Sequence, residues 1–538
     1  MMQIGDYTWI FGVGMVMAFV DAYGIGANDV ANSFANSVSA GSLTLAQACV
    51  IACFTEFFGA LLLGSHTTST IKGGILSVSE FVDNPEMLML GMLCAITGSA
   101  IWVLFASRNG WPVSTTHSIV GAIVGVGISA FGGGAITWGW TGIARIITSW
   151  FISPVIAGLV AAAIYTFTKY AVLRQVDSFK WALRLVPFYV FFTIAIEAFY
   201  IIFKGAPGLN ASSLPIGVVI AISFGIATFF AAFAWFFYCP WARRRIQDKE
   251  DLRWYHCFVI PFIGKRPTLQ ERDPEIVSMA DSQAQRTHDN VNETIDIHEN
   301  KKFAEEIPES DMSEVPVAGP SGWRAKANQY KTRAVDMALH GIRKDVRNLE
   351  NEDLKHIHAA AELYEDEAEY LFRSLQVFTA CMASFAHGSN DVSNAIGPIA
   401  AIFDVWQTAR VDVAGSVGVP AWILAYGGVA IDIGLATMGY RVMRKMGNNI
   451  TYLTPCRGFC AELAAALTVL TCSKLGLPVS TTHCITGATA AIGLCNGRLN
   501  AVNWKMLGWC FFSWILTLPF AGLVAGLIFA FASNSPTF

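Results

Sequence analysis

Along most of the chain, apolar residues come in runs of roughly twenty with few charges, separated by short polar loops. As a helix, a run of that length crosses the ~30 Å hydrocarbon core of a bilayer. The pattern predicts membrane segments at about 8–40, 44–64, 88–106, 112–131, 143–168, 185–203 and 215–238. It predicts five more at about 372–402, 417–440, 453–473, 478–496 and 505–533. Between the two groups lies a polar stretch, 239–370, which opens with ARRRIQDKED and is rich in Glu, Asp, Gln and Ser. Such a stretch cannot bury enough apolar surface to build a core, so most of it is expected to be disordered. Its end, from about Ala325 to Tyr370, is charged but favours helix.

Composition points the same way. The 538 residues are 54% hydrophobic and 14% charged, with a mean hydropathy of +0.47, whereas a soluble domain is about 25% charged. This is a polytopic membrane protein, all-α, with the lipid bilayer as its surroundings and no nucleic-acid partner. The 12 Cys are spread singly, mostly inside apolar segments, with no CxxC pair or zinc spacing. They read as small packing residues, and no cofactor is expected. The first segment contains Asp21, Asn28 and Asp29 and lacks a basic leader and a cleavage site, so it is not read as a signal peptide.

Lys and Arg in the short loops set the orientation. With Arg243, Arg244 and Arg245 in the cytoplasm, the basic loops 169–184 and 441–449 also fall inside. Loops 65–87 and 204–215 then fall outside, the latter with a glycosylation sequon at Asn210. Both termini are placed outside. This topology divides the chain into a first membrane repeat (1–168), two linking helices (169–238), a cytoplasmic loop (239–370) and a second repeat (371–538). The two repeats have the same plan and start on opposite sides. They are expected to be inverted relative to each other, as in secondary transporters, with a site at the repeat interface.

Two motifs recur in matched order. Gly-x-Asn-Asp-Val-x-Asn occurs as Gly26, Asn28, Asp29, Val30 and Asn32, and again as Gly388, Asn390, Asp391, Val392 and Asn394. PVSTTH occurs at 112–117 and 478–483, at a nearly equal distance behind each first motif. In PVSTTH, Pro suits a first helical turn, and the helix N-terminus offers free N–H groups and positive potential to an anion. If 88–131 and 453–496 form re-entrant hairpins, Ser114, Thr115 and Thr116 meet Ser480, Thr481 and Thr482 across the membrane. Six hydroxyls and two helix ends then face one tetrahedral oxyanion. A plain cap after a short turn would explain one copy but not two in inverted units.

Ionised Asp at membrane depth needs a cavity or a partner. Asp29 and Asp391 lie among Gly, Asn and Ser, where each first helix is expected to break. Carboxylates, Asn32 and Asn394 amides and freed carbonyls are hard oxygen ligands suited to Na⁺. Cations at Asp29 and Asp391 would cancel the repulsion between two acids and an anion, so cation and anion binding would be coupled. Glu56 and Glu462 are further intramembrane acids, for a cation site or a proton relay, and Asp432 lies near the position matching Glu56. Arg108 and Lys474 precede the two motif serines at equal spacing, either adding charge near the anion or reaching for an interface. His117 and His483 lack an orienting acid and read as caps or packing, not as part of a hydrolase.

GANDVANSFANSVSAG, GSNDVSNAIGP and both PVSTTH segments resemble the inorganic phosphate transporter (PiT) family, in particular sodium-dependent phosphate symporters of the fungal and animal type. The resemblance covers both membrane units, about three quarters of the chain. It implies H₂PO₄⁻ as substrate, import coupled to the Na⁺ gradient, a plasma-membrane homodimer and elevator-like alternating access. It places Asn28 and Asn390 with the phosphate-binding hydroxyls and makes Glu56 and Glu462 coupling acids. Ser393 and Ile396 replace Ala31 and Phe34 in the second motif, so the two halves are not expected to bind cations equally. The alternatives are H⁺ coupling, sulfate as substrate, or a phosphate sensor on the same scaffold.

Overall fold

The computed structural model describes residues 3, 5–204, 214–268, 352–413 and 418–534, for a few of which, Asn32 among them, only the backbone is described. The Asn210 sequon lies outside the described residues. The described chain is helical throughout. Its only extended pairings are two isolated bridges, Leu76 with Ile136 and Glu250 with Thr268. Nine described helices are long and apolar enough to cross a membrane: Thr8–Ser39, Leu45–Leu63, Pro85–Arg108, Ile143–Leu173, Ser178–Phe203, Ile216–Ile246, Ala421–Met438, Pro455–Lys474 and Trp504–Ser533.

The other three expected segments differ for physical reasons. Thr115–Phe131 has 17 residues and Thr481–Leu494 has 14. At 1.5 Å per residue neither reaches across ~30 Å of hydrocarbon. Both begin later than expected. Pro112 and Pro478 precede the first helical turn, and Ser114 (φ −102°, ψ 115°) and Ser480 (φ −86°, ψ 113°) are extended N-caps. Their hydroxyls accept from the N–H groups of His117 and His483, each at 3.3 Å.

The third is the helix Asp366–Thr408, 43 residues long, in which every residue from Met382 to Ile402 is buried. It carries His387, Asn390, Asp391 and Asn394 inside protein, so its polar residues are covered by other helices. The break expected at Asp391 does not occur. At Asp29 the chain only widens, with Gly26–Val30 forming a π turn between Thr8–Ile25 and Ala31–Ser39. The motif glycines serve close approach. A Cβ on Gly26 would lie 1.8 Å from the carbonyl oxygen of Ile431, and one on Gly388 would lie 2.3 Å from that of Glu56.

The two halves of the chain interlock. Asp366–Thr408 packs on Leu45–Leu63 and Thr8–Ile25 from the first half and on Pro455–Lys474 from the second. Thr115–Phe131 lies along Trp504–Ser533, and Thr481–Leu494 lies along Ile143–Thr168. Each short helix is therefore held by a long helix of the opposite half. This unit comprises residues 1–231 and 337–538.

A second unit spans 232–336, of which residues up to 268 are described. This part of the expected disordered loop is folded. Its helix Cys239–Ile246 and the 3₁₀ segment Trp254–Phe262 bury Trp241, Cys257 and Ile260. Arg244 donates to Glu250 from Nε (3.1 Å) and Nη2 (2.6 Å), and these bonds hold the Glu250 carboxyl below its usual value. In the first unit the helix Glu352–Ala359 and the start of Asp366–Thr408 occupy the other end of that stretch.

Gly26→Ala is expected to lower the detergent melting temperature and the yield of monodisperse protein, because the methyl group meets backbone that cannot move aside; overpacking of this kind costs about 3 kcal/mol. Gly217→Ala, with nothing within 4 Å, is expected to leave both unchanged.

Candidate functional site

The two motif pairs meet at one buried node. Asp29, 2% exposed, receives three donors. Thr115 reaches Oδ2 through Oγ1 at 2.5 Å and through its backbone N–H at 3.3 Å, and Thr482 donates its hydroxyl to Oδ1 at 2.7 Å. One carboxylate thus ties together the two short helices from opposite halves. Asp391, fully buried, receives Thr481 Oγ1 on Oδ2 at 2.6 Å and Asn390 Nδ2 on Oδ1 at 2.7 Å. The tips also hold each other: Thr116 Oγ1 donates to the Val479 carbonyl at 3.3 Å and Thr482 Oγ1 to the Val113 carbonyl at 3.5 Å.

The asparagines divide the work. Asn28 fastens the turn ahead of its own tip. Its Nδ2 donates to the Trp111 carbonyl (2.9 Å) and Ser107 Oγ (3.1 Å), and its Oδ1 accepts from Val113 N–H (3.1 Å). Asn390 donates to the Val479 carbonyl at 2.8 Å, and because a carbonyl only accepts, this fixes the amide orientation. Asn394 Nδ2 bridges Thr115 and Thr116 hydroxyls at 3.1 and 3.2 Å. The oxygens of Asn390 and Asn394 are buried and have no donor among the described residues. The side chain of Asn32 lies outside the described residues.

His387 is the central residue that the sequence reading missed. It lies one turn before Asp391 on the same helix, with Nε2 2.8 Å from Asp391 Oδ2 and Nδ1 2.7 Å from Glu56 Oε2. Its place immediately ahead of the GSNDVSN motif, four residues from the acid, was the available signal. Ligand atoms of Asp29, His387 and Asp391 all lie within 4.8 Å of one another. Glu56 also accepts from Ser384 Oγ at 2.7 Å, so it belongs to the same hydrogen-bonded chain.

Glu462 stands in its own hydroxyl cage. Ser37 (2.6 Å), Thr379 (2.9 Å) and Gln376 (3.2 Å) donate to it, and none of these three was singled out from the sequence. His117 and His483 form a crossed clasp. His117 Nδ1 lies 3.3 Å from the Trp514 carbonyl while its ring packs against Trp150, tilted by 35° with centroids 3.8 Å apart. His483 Nδ1 lies 3.2 Å from the Trp150 carbonyl while its ring packs against Trp514, tilted by 34° with centroids 3.8 Å apart. Arg108 is exposed and its carbonyl holds Arg441, whereas Lys474 donates to the Phe203 carbonyl at 3.0 Å. Neither contributes to the node.

A buried cluster of carboxylates, amide oxygens and alcohols at crossing helices can bind and release ions, and it lacks an activated nucleophile. The comparisons agree with this chemistry. Residues 25–525 match the profile described as the phosphate transporter family. The phosphate-repressible phosphate permease pho-4 of Neurospora crassa is 34% identical over 99% of both chains. The sodium-dependent phosphate transporter 2 of Felis catus is 32% identical over 98% of both. A solved structure titled the sodium-dependent phosphate transporter superposes with a TM-score of 0.68 at 28% identity, covering 98% of this chain and 100% of that one. The chain is a multi-pass membrane transporter and not an enzyme. It belongs to the phosphate transporter family.

His387→Ala is expected to reduce the amount of folded protein extracted from membranes, because Glu56 and Asp391 lose their shared partner; breaking a buried pair costs about 3–5 kcal/mol. Asn28→Ala is expected to speed hydrogen exchange at residues 109–114 without unfolding the core, since it strands one N–H and one carbonyl of that turn at about 1–3 kcal/mol each.

Proposed function

We propose that the protein is a symporter that imports inorganic phosphate, as H₂PO₄⁻, with Na⁺. The observation that carries this reading is the acceptor-rich node. Two carboxylates and the free oxygens of Asn390 and Asn394 converge where the threonine hydroxyls of both tips are already donating inward. Na⁺ is a hard cation that takes such oxygens. When cations occupy the carboxylate oxygens of Asp29 and Asp391, with Asn32 and Asn394 beside them, the hydroxyls of Thr115, Thr481 and Thr482 are released from the acids. Together with Ser114, Thr116, Ser480 and the two helix N-termini they then face an anion. Cation charge and freed donors arrive together, so phosphate binds to a cation-loaded site.

The two halves act as inverted repeats in this reading, with 88–131 and 453–496 as re-entrant hairpins and alternating access at their interface. The near-identical bonding of Thr115 to Asp29 and Thr481 to Asp391 supports it. So does the pairing of each short helix with a long helix of the other half. Glu56 and Glu462 lie one step out from the node and act as coupling acids. We place the protein in the plasma membrane as a homodimer, with both termini outside and the 239–370 stretch in the cytoplasm. Proton coupling is the second reading, favoured by His387 with both ring nitrogens against carboxylates.

Radiolabelled phosphate uptake into proteoliposomes tests this. An inward Na⁺ gradient is expected to drive uptake that excess sulfate does not reduce. Uptake driven by an H⁺ gradient without Na⁺ would select the second reading, and inhibition by sulfate would change the substrate. Asp29→Asn and Asp391→Asn are each expected to lose Na⁺-driven uptake while still reaching the membrane. Normal Na⁺ dependence in both would remove the cation-site assignment.

A further inference from the structure

Asp21 lies two turns ahead of Asp29 in the first helix. It is 1% exposed, and neither carboxylate oxygen has a hydrogen-bond donor among the described residues. Beside it is Ser99 of the Pro85–Arg108 helix, also 1% exposed, whose hydroxyl lies within reach of the carboxylate but makes no hydrogen bond of good geometry among the described residues. Asp29 is close enough for the two acids to feel each other's charge. A buried carboxylate without donors is costly, and one inside a membrane helix bundle more so. Neither the node nor its hydroxyl cage uses this residue.

The chain supplies its own comparison. Counted from the repeated motifs, the position matching Asp21 is Ala383 and that matching Ser99 is Ala465. These two alanines, with Asp29 and Ser33 of the first half and Thr481 of the second, line a small cavity where the two halves meet. The acid and the hydroxyl therefore occur together in one half and are replaced together in the other. Such paired replacement marks the two residues as acting together, through contact with each other or through a shared ligand.

We propose that Asp21 and Ser99 form a further binding position for a monovalent cation, separate from the Asp29–Asp391 node; the identity of that cation as Na⁺ rests on the symport reading above. One carboxylate and one hydroxyl oxygen supply hard oxygen ligands with a single negative charge, which one monovalent cation balances. No Cys or His contributes to favour a transition metal. Because the second half has only alanines here, the two halves load cations unequally, and this position fills on the first-half side only.

The test is Na⁺ activation of phosphate uptake in proteoliposomes of the wild type, Asp21→Asn and Ser99→Ala. Asp21→Asn is expected to lower the Hill coefficient for Na⁺ and to raise half-saturating Na⁺ about tenfold, as loss of a charged contact does. Ser99→Ala is expected to shift half-saturation the same way by less. Superimposable Na⁺ curves for all three proteins would overturn the proposal. If Asp21→Asn carries no uptake, Na⁺-dependent thermal stabilisation of the purified protein replaces it: a smaller shift than wild type supports the site, and an equal shift overturns it. If wild-type uptake ignores Na⁺, the symport reading fails, and the same difference in thermal shift decides this position alone.

Discussion

The rest of the structure depends on the bonds from two threonines to the Asp29 carboxylate. Thr115 comes from the tip of the first half and Thr482 from the tip of the second, and both donate to the same acid. These bonds bring two helix N-termini to one point with an acceptor of opposite charge between them. Any group that withdraws the carboxylate from its donors changes the tips at once. In the proposed symport a monovalent cation does so, and the O–H and N–H donors that it leaves unpaired suit an oxyanion.

The helices around the node explain why such an arrangement survives inside a membrane. Asp391, His387 and Asn394 sit on a helix wrapped by protein, so none of their cost is borne against lipid. Close approach at Gly26 and Gly388 gives the surrounding backbones little room to shift. The crossed His117–Trp514 and His483–Trp150 contacts then brace each tip against a helix of the other half. The site is rigid where helices touch backbone to backbone, and adjustable where hydroxyls meet acids.

Much of this was legible in the sequence. Apolar runs located the nine long helices because length and hydropathy are local properties. The duplicated motifs located Asp29, Asp391, Thr115, Thr481 and Thr482 because repetition in one chain marks positions with a shared task. What the sequence did not show is equally instructive. Gly-Asn-Asp reads as a helix breaker by propensity, but tertiary packing kept Asp366–Thr408 continuous, and the glycine was needed for a neighbour's carbonyl. The prolines read as first-turn residues, yet the serines behind them make better caps. His387, Ser37, Gln376 and Thr379 fall outside both motifs, and only the fold brings them to Glu56 and Glu462.

The central claim is that cations at the two aspartates create the phosphate site. Equilibrium binding of radiolabelled phosphate to the purified protein, with Na⁺ replaced stepwise by choline at constant ionic strength, tests it without transport. Coupling is reciprocal, so phosphate should also tighten Na⁺ binding by the same factor. The account predicts saturable phosphate binding that rises steeply with Na⁺ and disappears in choline. Phosphate binding of equal affinity with and without Na⁺ would contradict it.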